Sequence, residues 1–546
     1  MLGDLWYKNA VVYNLDVETY LDADGDGIGD FEGLMRRLDY VESLGVDVLW
    51  LAPFQPSPNR DNGYDVADFY GVDPRYGSSG DFVEFVHRAR SNGIRVIVDL
   101  VVNHTSDRHR WFQEAREGPE SPRFDWYVWS KKRPSTWRKG TVFPGHQQAT
   151  WSRDPQAKQW YFHRFFQFQP DLNMQNPAVR EEIRRIMGFW LELGVSGFRV
   201  DAVPFIIEEP PTGNGRPKLH FEYLEELRDF LQWRVGDAVL LGEANVLPQE
   251  AQDYFAGGDG IHLMFNFWVN QHLWYALASG DARPLAQALR DTEKLPPSCQ
   301  WAHFLRNHDE LDLGRLTEEQ RATVFERFGP DEGMQLYGRG IRRRLAAMLG
   351  ERPLVELAFN VLYSLPGTPV LWYGDELGMG DELRLPQRDA VRTPMQWSAD
   401  RNAGFTKAEK PFRPVISRGP YAFEHVNVEH QRRFDDSLLR WNTRMIRLRK
   451  ECPEIGWGDW RLLGTRNPAV LGLRYDWRGD ALLVLHNFAP RACEVTFSTD
   501  ARPGEPLASL TEPVEIPAVG DGRYRVALEA YGSGWFRIGS LDYALD

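Results

Sequence analysis

Eight short apolar runs, rich in β-prone residues, punctuate the first 380 residues of the chain. They fall at residues 11–15, 47–51, 95–101, 197–200, 238–241, 261–265, 301–305 and 369–372. Several are continuously apolar rather than alternating, the pattern of parallel strands buried on both faces. Amphipathic stretches lie between them. Residues 31–43 and 81–92 each stop ahead of a glycine, a usual helix end. Asn176-Pro177 opens another helix, with Asn as N-cap and Pro in the first turn. Ile183, Ile186, Met187, Trp190 and Leu191 keep its helical period, and Gly194 closes it. Eight such repeats predict an α/β fold, a TIM-type (β/α)8 barrel.

The rhythm breaks once. Residues 103–171, between the third and fourth strands, are rich in Pro, Trp and Phe and predict an inserted small domain B over the barrel mouth. After about residue 450, runs such as VLGLRYDW, ALLVLHNF and CEVTFS predict a C-terminal antiparallel β-sandwich. The expected domains are therefore a catalytic barrel (1–102 and 172–450), the inserted domain (103–171) and the C-terminal β-domain (451–546).

Composition narrows the function classes. A net charge of −14 leaves no basic surplus to pair with phosphates, which argues against nucleic acid and anionic membranes. No apolar run of about 18 residues and no cleavage-site pattern is present, so a cytoplasmic protein is expected. The 3 cysteines, Cys299, Cys452 and Cys493, are too few and too scattered for a disulfide framework or a zinc site.

The candidate chemistry sits where apolar runs break into polar residues: DLVVNH (99–104), GFRVDAV (197–203), LLGEAN (240–245) and FLRNHDE (304–310). In a (β/α)8 barrel the C-terminal strand ends share one face, so Asp201, Glu243 and Asp309 are expected to converge. Close carboxylates flanking a glycosidic bond are the working parts of a glycosidase. Arg199 lies two residues before Asp201, on the same strand face, and is expected to lower the Asp201 pKa and keep this nucleophile ionised. Glu243 is the candidate acid/base, its pKa raised by a neighbouring anion and partial burial. His104 and His308 are expected to donate hydrogen bonds to sugar hydroxyls, and Asp309 to grip the 2- and 3-hydroxyls. Each residue alone has a plain structural reading; the set, in this order and spacing, does not.

Together the four segments resemble the α-amylase superfamily of retaining glycoside hydrolases and transglycosylases. The resemblance implies Asp201 as nucleophile, Glu243 as acid/base and Asp309 as transition-state stabiliser, acting through a covalent β-glucosyl-enzyme. PFQPSPNRDNGYDVADF, NHTSDRHRWF, HRFFQFQPDLN, LPGTPVLWYGDELGMGD and VRTPMQWSADRNAGF are similar, within that superfamily, to the trehalose synthases (maltose α-D-glucosyltransferases). This implies interconversion of maltose and trehalose with some hydrolysis, on small saccharides and without an organic cofactor. It also implies that Asp65 pairs with Arg392 to wall off the pocket beyond the first sugar, that Tyr64 stacks on that sugar, and that Phe166 contacts substrate. Association through the terminal β-domain into a homo-oligomer, and work beside a maltose kinase, belong to the same resemblance.

Two alternatives stand beside this reading. One is an exo-acting α-glucosidase or amylase-like hydrolase with water as main acceptor. The other is a non-catalytic, transporter-associated barrel, which would lack part of the carboxylate set and carry an anchor. The chain departs from the trehalose synthase pattern at residues 14–20 (NLDVETY), at 266–271 (NFWVNQ) and, in the insert, around 131–150, all expected to border the acceptor side.

For metals, Asp22, Asp24, Asp26 and Asp30 alternate with glycines that allow a tight wrap, a hard-oxygen pattern suited to Ca²⁺. It is no EF-hand, since Gly33 stands where the bidentate Glu belongs. Similar loops in exo-acting members of the superfamily imply the Ile28 carbonyl as a further ligand. The trehalose synthase pattern implies a second Ca²⁺ at Asn103, Asp171 and Glu208 with the carbonyls of Phe205 and Ile206.

Overall fold

The computed structural model describes residues 3–210 and 217–539. Residues 1–2, 211–216 and 540–546, which the expected domain spans include, lie outside the described residues. Eight parallel strands close into a barrel in chain order: β1 Val12–Leu15, β2 Val48–Leu51, β3 Arg95–Leu100, β4 Gly197–Val200, β5 Val239–Gly242, β6 Leu263–Phe265, β7 Gln300–Phe304 and β8 Thr368–Trp372. These are the eight apolar runs of the sequence, with edges shifted by no more than two residues. Inward-pointing Val12, Val48, Trp50, Ile97, Leu241, Phe265, Phe304 and Val370 fill the barrel as one apolar cluster, so it is a packed core with no channel. Outward-pointing residues such as Val11, Leu49 and Val98 meet the helices in the main core.

Register places the chemistry. Val200 of β4 pairs with Gly242 of β5, so Asp201 and Glu243 leave the barrel side by side at its C-terminal rim. Leu100 of β3 pairs with Val200, which sets the polar 101–104 run next to them. Gly242 is needed for this packing, because a Cβ there would stand 2.6 Å from Ile261 Cδ1.

Two excursions rise over that rim. The insert after β3 carries a three-stranded antiparallel sheet of Trp129–Ser130, Trp151–Arg153 and Trp160–Phe162. The segment after β7 adds a second three-stranded sheet (Leu311–Asp312, Gln335–Leu336 and Gly340–Ile341) and the helix Glu318–Phe328. At the far end, six-stranded and two-stranded antiparallel sheets face each other across a shared core that includes Leu483, Leu485, Val495, Phe497 and Tyr524. This sandwich is bolted to the barrel helix Arg352–Ser364 by Trp535 Nε1 donating to Asn360 Oδ1 at 3.1 Å and by a 2.7 Å bond between Ser364 Oγ and His486 Nε2. No described helix is long and apolar enough to cross a membrane.

Candidate active site

The barrel rim and the two excursions enclose a cavity of about 610 Å³. Asp201, Glu243 and Asp309 all line it. Behind them lies Arg199, fully buried in β4. Its Nη1 donates to Asp99 Oδ1 at 2.6 Å and to Asp201 Oδ1 at 2.7 Å, and its Nη2 sits 2.7 Å from Glu243 Oε2. One guanidinium thus spans both candidate catalytic carboxyls, which are near enough to share a hydrogen bond. Carboxyls this close fall short of the gap of about 6.5–9.5 Å that an inverting pair leaves for water.

The backbone contributes as well. Ala202 is held at φ +50°, and its N–H donates to Glu243 Oε2 at 3.1 Å. A non-glycine residue in the left-handed region carries strain, and here the strain turns an amide toward the acid/base.

The two carboxyls differ in proton affinity. Burial pushes Asp201 up to about 6 against the pull of Arg199, with Asp99 and Asp309 adding to the rise. The sequence reading expected Arg199 to lower it; desolvation inside the pocket outweighs the guanidinium, yet Asp201 remains mostly ionised at neutral pH. Burial also pushes Glu243 up to about 7, opposed by Arg199 and assisted by Asp201 and Asp309. Burial acts upward on Asp309 too, but Arg388 and Arg392, at 2.9 and 3.2 Å, drive it far below the usual carboxylate range. The site therefore offers one permanent anion, one nucleophile and one carboxyl poised to hold or give a proton at neutral pH.

Tyr64 lines the cavity, and its hydroxyl lies 2.8 Å from His308 Nε2. His104 lines it as well, but Nε2 is engaged by the Tyr64 carbonyl at 3.1 Å and Nδ1 by the Asn103 amide at 3.3 Å. These bonds brace the Tyr64 backbone while the ring stays in the cavity lining. His308 stacks behind Tyr64 and meets Asp309 Oδ2 at 3.3 Å. Burial lowers His104 to about 4 and His308 to about 3, so both are neutral imidazoles.

Three expectations need correction. Asp65 does not meet Arg392. Its carboxylate accepts from Ser57 Oγ at 3.0 Å, from the Asp61 N–H at 3.1 Å and from Arg60 at 3.4 Å, which ties up the loop. The acid that reaches the pocket is Asp61, half-buried and within the fields of Arg388 and Arg392, and anchored by Gln169 Nε2 at 2.8 Å. Likewise Phe165, not Phe166, lines the cavity; Phe166 stacks behind Phe143 at 4.9 Å. Finally, none of residues 14–20 lines the cavity. Asn14 is buried and donates to the Trp50 carbonyl at 3.1 Å. The 266–271 departure does reach the cavity: Phe267 lines it, and Gln271 Oε1 accepts from the Arg315 N–H at 2.7 Å. Arg315 in turn bonds Asn245 Oδ1 at 3.1 Å, two residues beyond Glu243. Phe143 falls in the departing 131–150 stretch, but no periodic signal singled it out, nor Arg388 or Arg315, because all three come from irregular segments.

Of the metal-binding candidates, Asp22, Asp24 and Asp30 bring carboxylate oxygens within 4.8 Å of one another. Ligands at about 2.4 Å from one Ca²⁺ span that distance, so the group fits the ion. Asp26 is not in that group; its Oδ1 accepts from the Ile28 N–H at 2.7 Å. At the second place, Asp171, Phe205 and Glu208 line a cavity of about 10 Å³, and burial pushes Asp171 up to about 7. Arg164 already lies 2.7 Å from Glu208, supplying a cationic partner there.

The "Alpha amylase, catalytic domain" family matches residues 17–328 and 342–458. The chain belongs to the α-amylase family. It is 42% identical over 549 residues to the trehalose synthase of Thermus thermophilus, covering all of this chain and 56% of that protein, so it spans just over half that relative's length. It is 41% identical to the trehalose synthase/amylase TreS of Mycolicibacterium smegmatis, covering 98% of this chain and 93% of that one. Among solved structures, the trehalulose synthase MutB of Pseudomonas mesoacidophila superposes with a TM-score of 0.77 at 26% identity, covering 98% and 99% of the two chains.

Proposed function

We propose that this α-amylase family enzyme interconverts maltose and trehalose by retaining α-glucosyl transfer, with hydrolysis as a side reaction. The observation that carries the reading is the Asp201–Arg199–Glu243 bridge inside a roofed cavity. In the first half-reaction Glu243, protonated, gives its proton to the glycosidic oxygen while Asp201 attacks the anomeric carbon. The C–O bond to the departing glucose breaks and an Asp201 ester forms. Asp309, ionised and held by Arg388 and Arg392, favours the positive charge that develops on the ring between these states. In the second half, the departed glucose turns and presents its anomeric hydroxyl. Glu243, now a carboxylate, takes that proton as the new 1,1 bond forms and Asp201 is freed. Two inversions give net retention.

The relatives named as trehalose synthases support this substrate pair. So does the roof of the cavity, which hinders water during the turn. A cytoplasmic setting, self-association and a maltose kinase as neighbour are proposed on the sequence resemblance alone. Calcium is proposed as a structural ion at Asp22, Asp24 and Asp30. It would tie the loop to the 405–412 segment, since the Asp22 N–H donates to the Phe405 carbonyl at 3.0 Å and Asp22 Oδ2 accepts from Thr406.

A time course on pure maltose tests the reading. Trehalose is expected ahead of free glucose. Glucose as sole product would make the enzyme an exo-acting α-glucosidase instead.

A further inference from the structure

One buried cation behind the cavity wall joins three loops of the barrel rim. Arg413 comes from the irregular segment that follows residue 405. Its Nη2 donates to Asn62 Oδ1 and lies 3.4 Å from Glu18 Oε1. Its Nη1 lies 3.1 Å from Asp389 Oδ1 and donates to the Arg392 carbonyl at 3.4 Å. The loop after β1, the loop after β2 and the 387–392 segment therefore meet on one guanidinium.

What two of these loops carry is chemical. Asn62 follows Asp61, the acid that lines the cavity, and stands at φ +52°. Strain of that kind persists where surrounding contacts impose it, and the Arg413 bond to the Asn62 side chain is one such contact. Asp389 follows Arg388, and Arg388 and Arg392 both reach Asp309 Oδ1, at 2.9 and 3.2 Å. Arg413 thus holds the 389–392 turn at both ends, directly behind the two cations that keep Asp309 ionised.

Glu18 supplies the counter-charge. It is buried, and its Oε2 accepts from Asn59 Nδ2 at 2.9 Å and from the Tyr76 hydroxyl at 3.0 Å, while Arg75 stands farther off at 3.7 Å. Asp16, also buried, accepts from the Glu18 N–H at 3.1 Å and lies in the fields of Arg413 and Arg392. Both acids belong to residues 14–20, where the chain departs from the trehalose synthase pattern without lining the cavity. A buried carboxylate is costly without a cation, and the planar fork of an arginine can serve it and two loops at once.

We propose that Arg413, seated on Glu18, is a positioning residue that sets Asp61 and the Arg388–Asp309–Arg392 group against the reacting glucosyl ring. The proposal rests on the retaining-transfer reading above. It gives the 14–20 departure a part in turnover, exerted from behind the wall through charge and hydrogen bonds.

Two variants separate positioning from mere stability. Arg413→Lys keeps a charge beside Glu18 but loses the fork that spans the loops. Arg413→Met combined with Glu18→Gln removes both charges, so the stability lost in Arg413→Met alone should largely return. Both proteins are expected to melt close to wild type, yet to lose about 10²-fold in kcat/KM on maltose, the cost of misplacing reacting groups by about 1 Å. Binding reads the same geometry without turnover. 1-Deoxynojirimycin, a glucose-shaped imino sugar whose ring nitrogen takes up a proton, answers to the anions Asp61 and Asp309 as neutral glucose does not. Calorimetry on wild type is expected to show it bound about 10²-fold more tightly than glucose, as a mimic of the charged transition state, and both variants to lose about tenfold of that ratio. Recovery of wild-type kcat/KM and of the affinity ratio in the double variant would overturn the proposal and leave Arg413 as a structural ion pair. An unchanged ratio in Arg413→Lys, with wild type still preferring the imino sugar, would do the same. A wild type without that preference would overturn the retaining-transfer reading, and the proposal with it.

Discussion

Asp201 and Glu243 share one guanidinium but need opposite protonation states for the first step. Asp201 must be ionised, so activity falls as pH drops through about 6. Glu243 must carry a proton, so activity falls as pH rises through about 7. A narrow bell in kcat/KM is therefore expected, with its maximum between these values. In Glu243→Gln the basic limb should vanish and kcat on maltose should fall by about 10²–10⁴-fold, as removal of a general acid does. A retained basic limb would assign it to another group. The neighbouring acids separate cleanly by role. Asp61→Asn should impair turnover at little cost in stability. Asp65→Asn, which strips a buried acceptor from the Arg60 loop, should lower the melting temperature first. Assays of both variants side by side by kinetics and calorimetry decide this. The sequence made Asp201, Glu243 and Asp309 legible because each follows an apolar run whose end must lie at the barrel rim. It misled at Asp65 and Phe166 because loops have no period, so which of two nearby residues faces the pocket depends on local hydrogen bonds.

Strands and helices were readable from continuous apolar runs and from caps. Asn176 accepts from the Ala178 N–H at 2.9 Å, as its place before Pro177 implied. What patterning could not give was the second excursion, where strands of two residues are too short to alternate. In the acidic loop at residues 22–30, three of the four acids that the sequence singled out come together. Gly33 lets the following helix pack against it, since a Cβ there would lie 1.9 Å from the Leu21 carbonyl oxygen. Three clustered carboxylates repel one another without a cation, and burial raises Asp30 further. Chelator treatment is expected to lower the melting temperature by several degrees, with recovery on added Ca²⁺. Asp24→Asn should blunt that response. A melting temperature indifferent to chelator would remove calcium from this loop.

At the scale of the molecule, the barrel supplies rigidity and the two excursions supply the roof. The barrel interior is packed solid, so the carboxylates rest on an unyielding base, while the roof is closed by a few contacts between segments remote in sequence. Long-range closure of this kind leaves little trace in a sequence, because neither partner segment is patterned for the other. The most direct test supplies unlabelled maltose together with an excess of ¹³C-labelled free glucose and resolves trehalose by mass. Intramolecular transfer in a closed pocket predicts trehalose almost free of label from the first turnovers. Label entering trehalose in proportion to free glucose would mean that the sugar leaves and another returns, and that result would contradict the account.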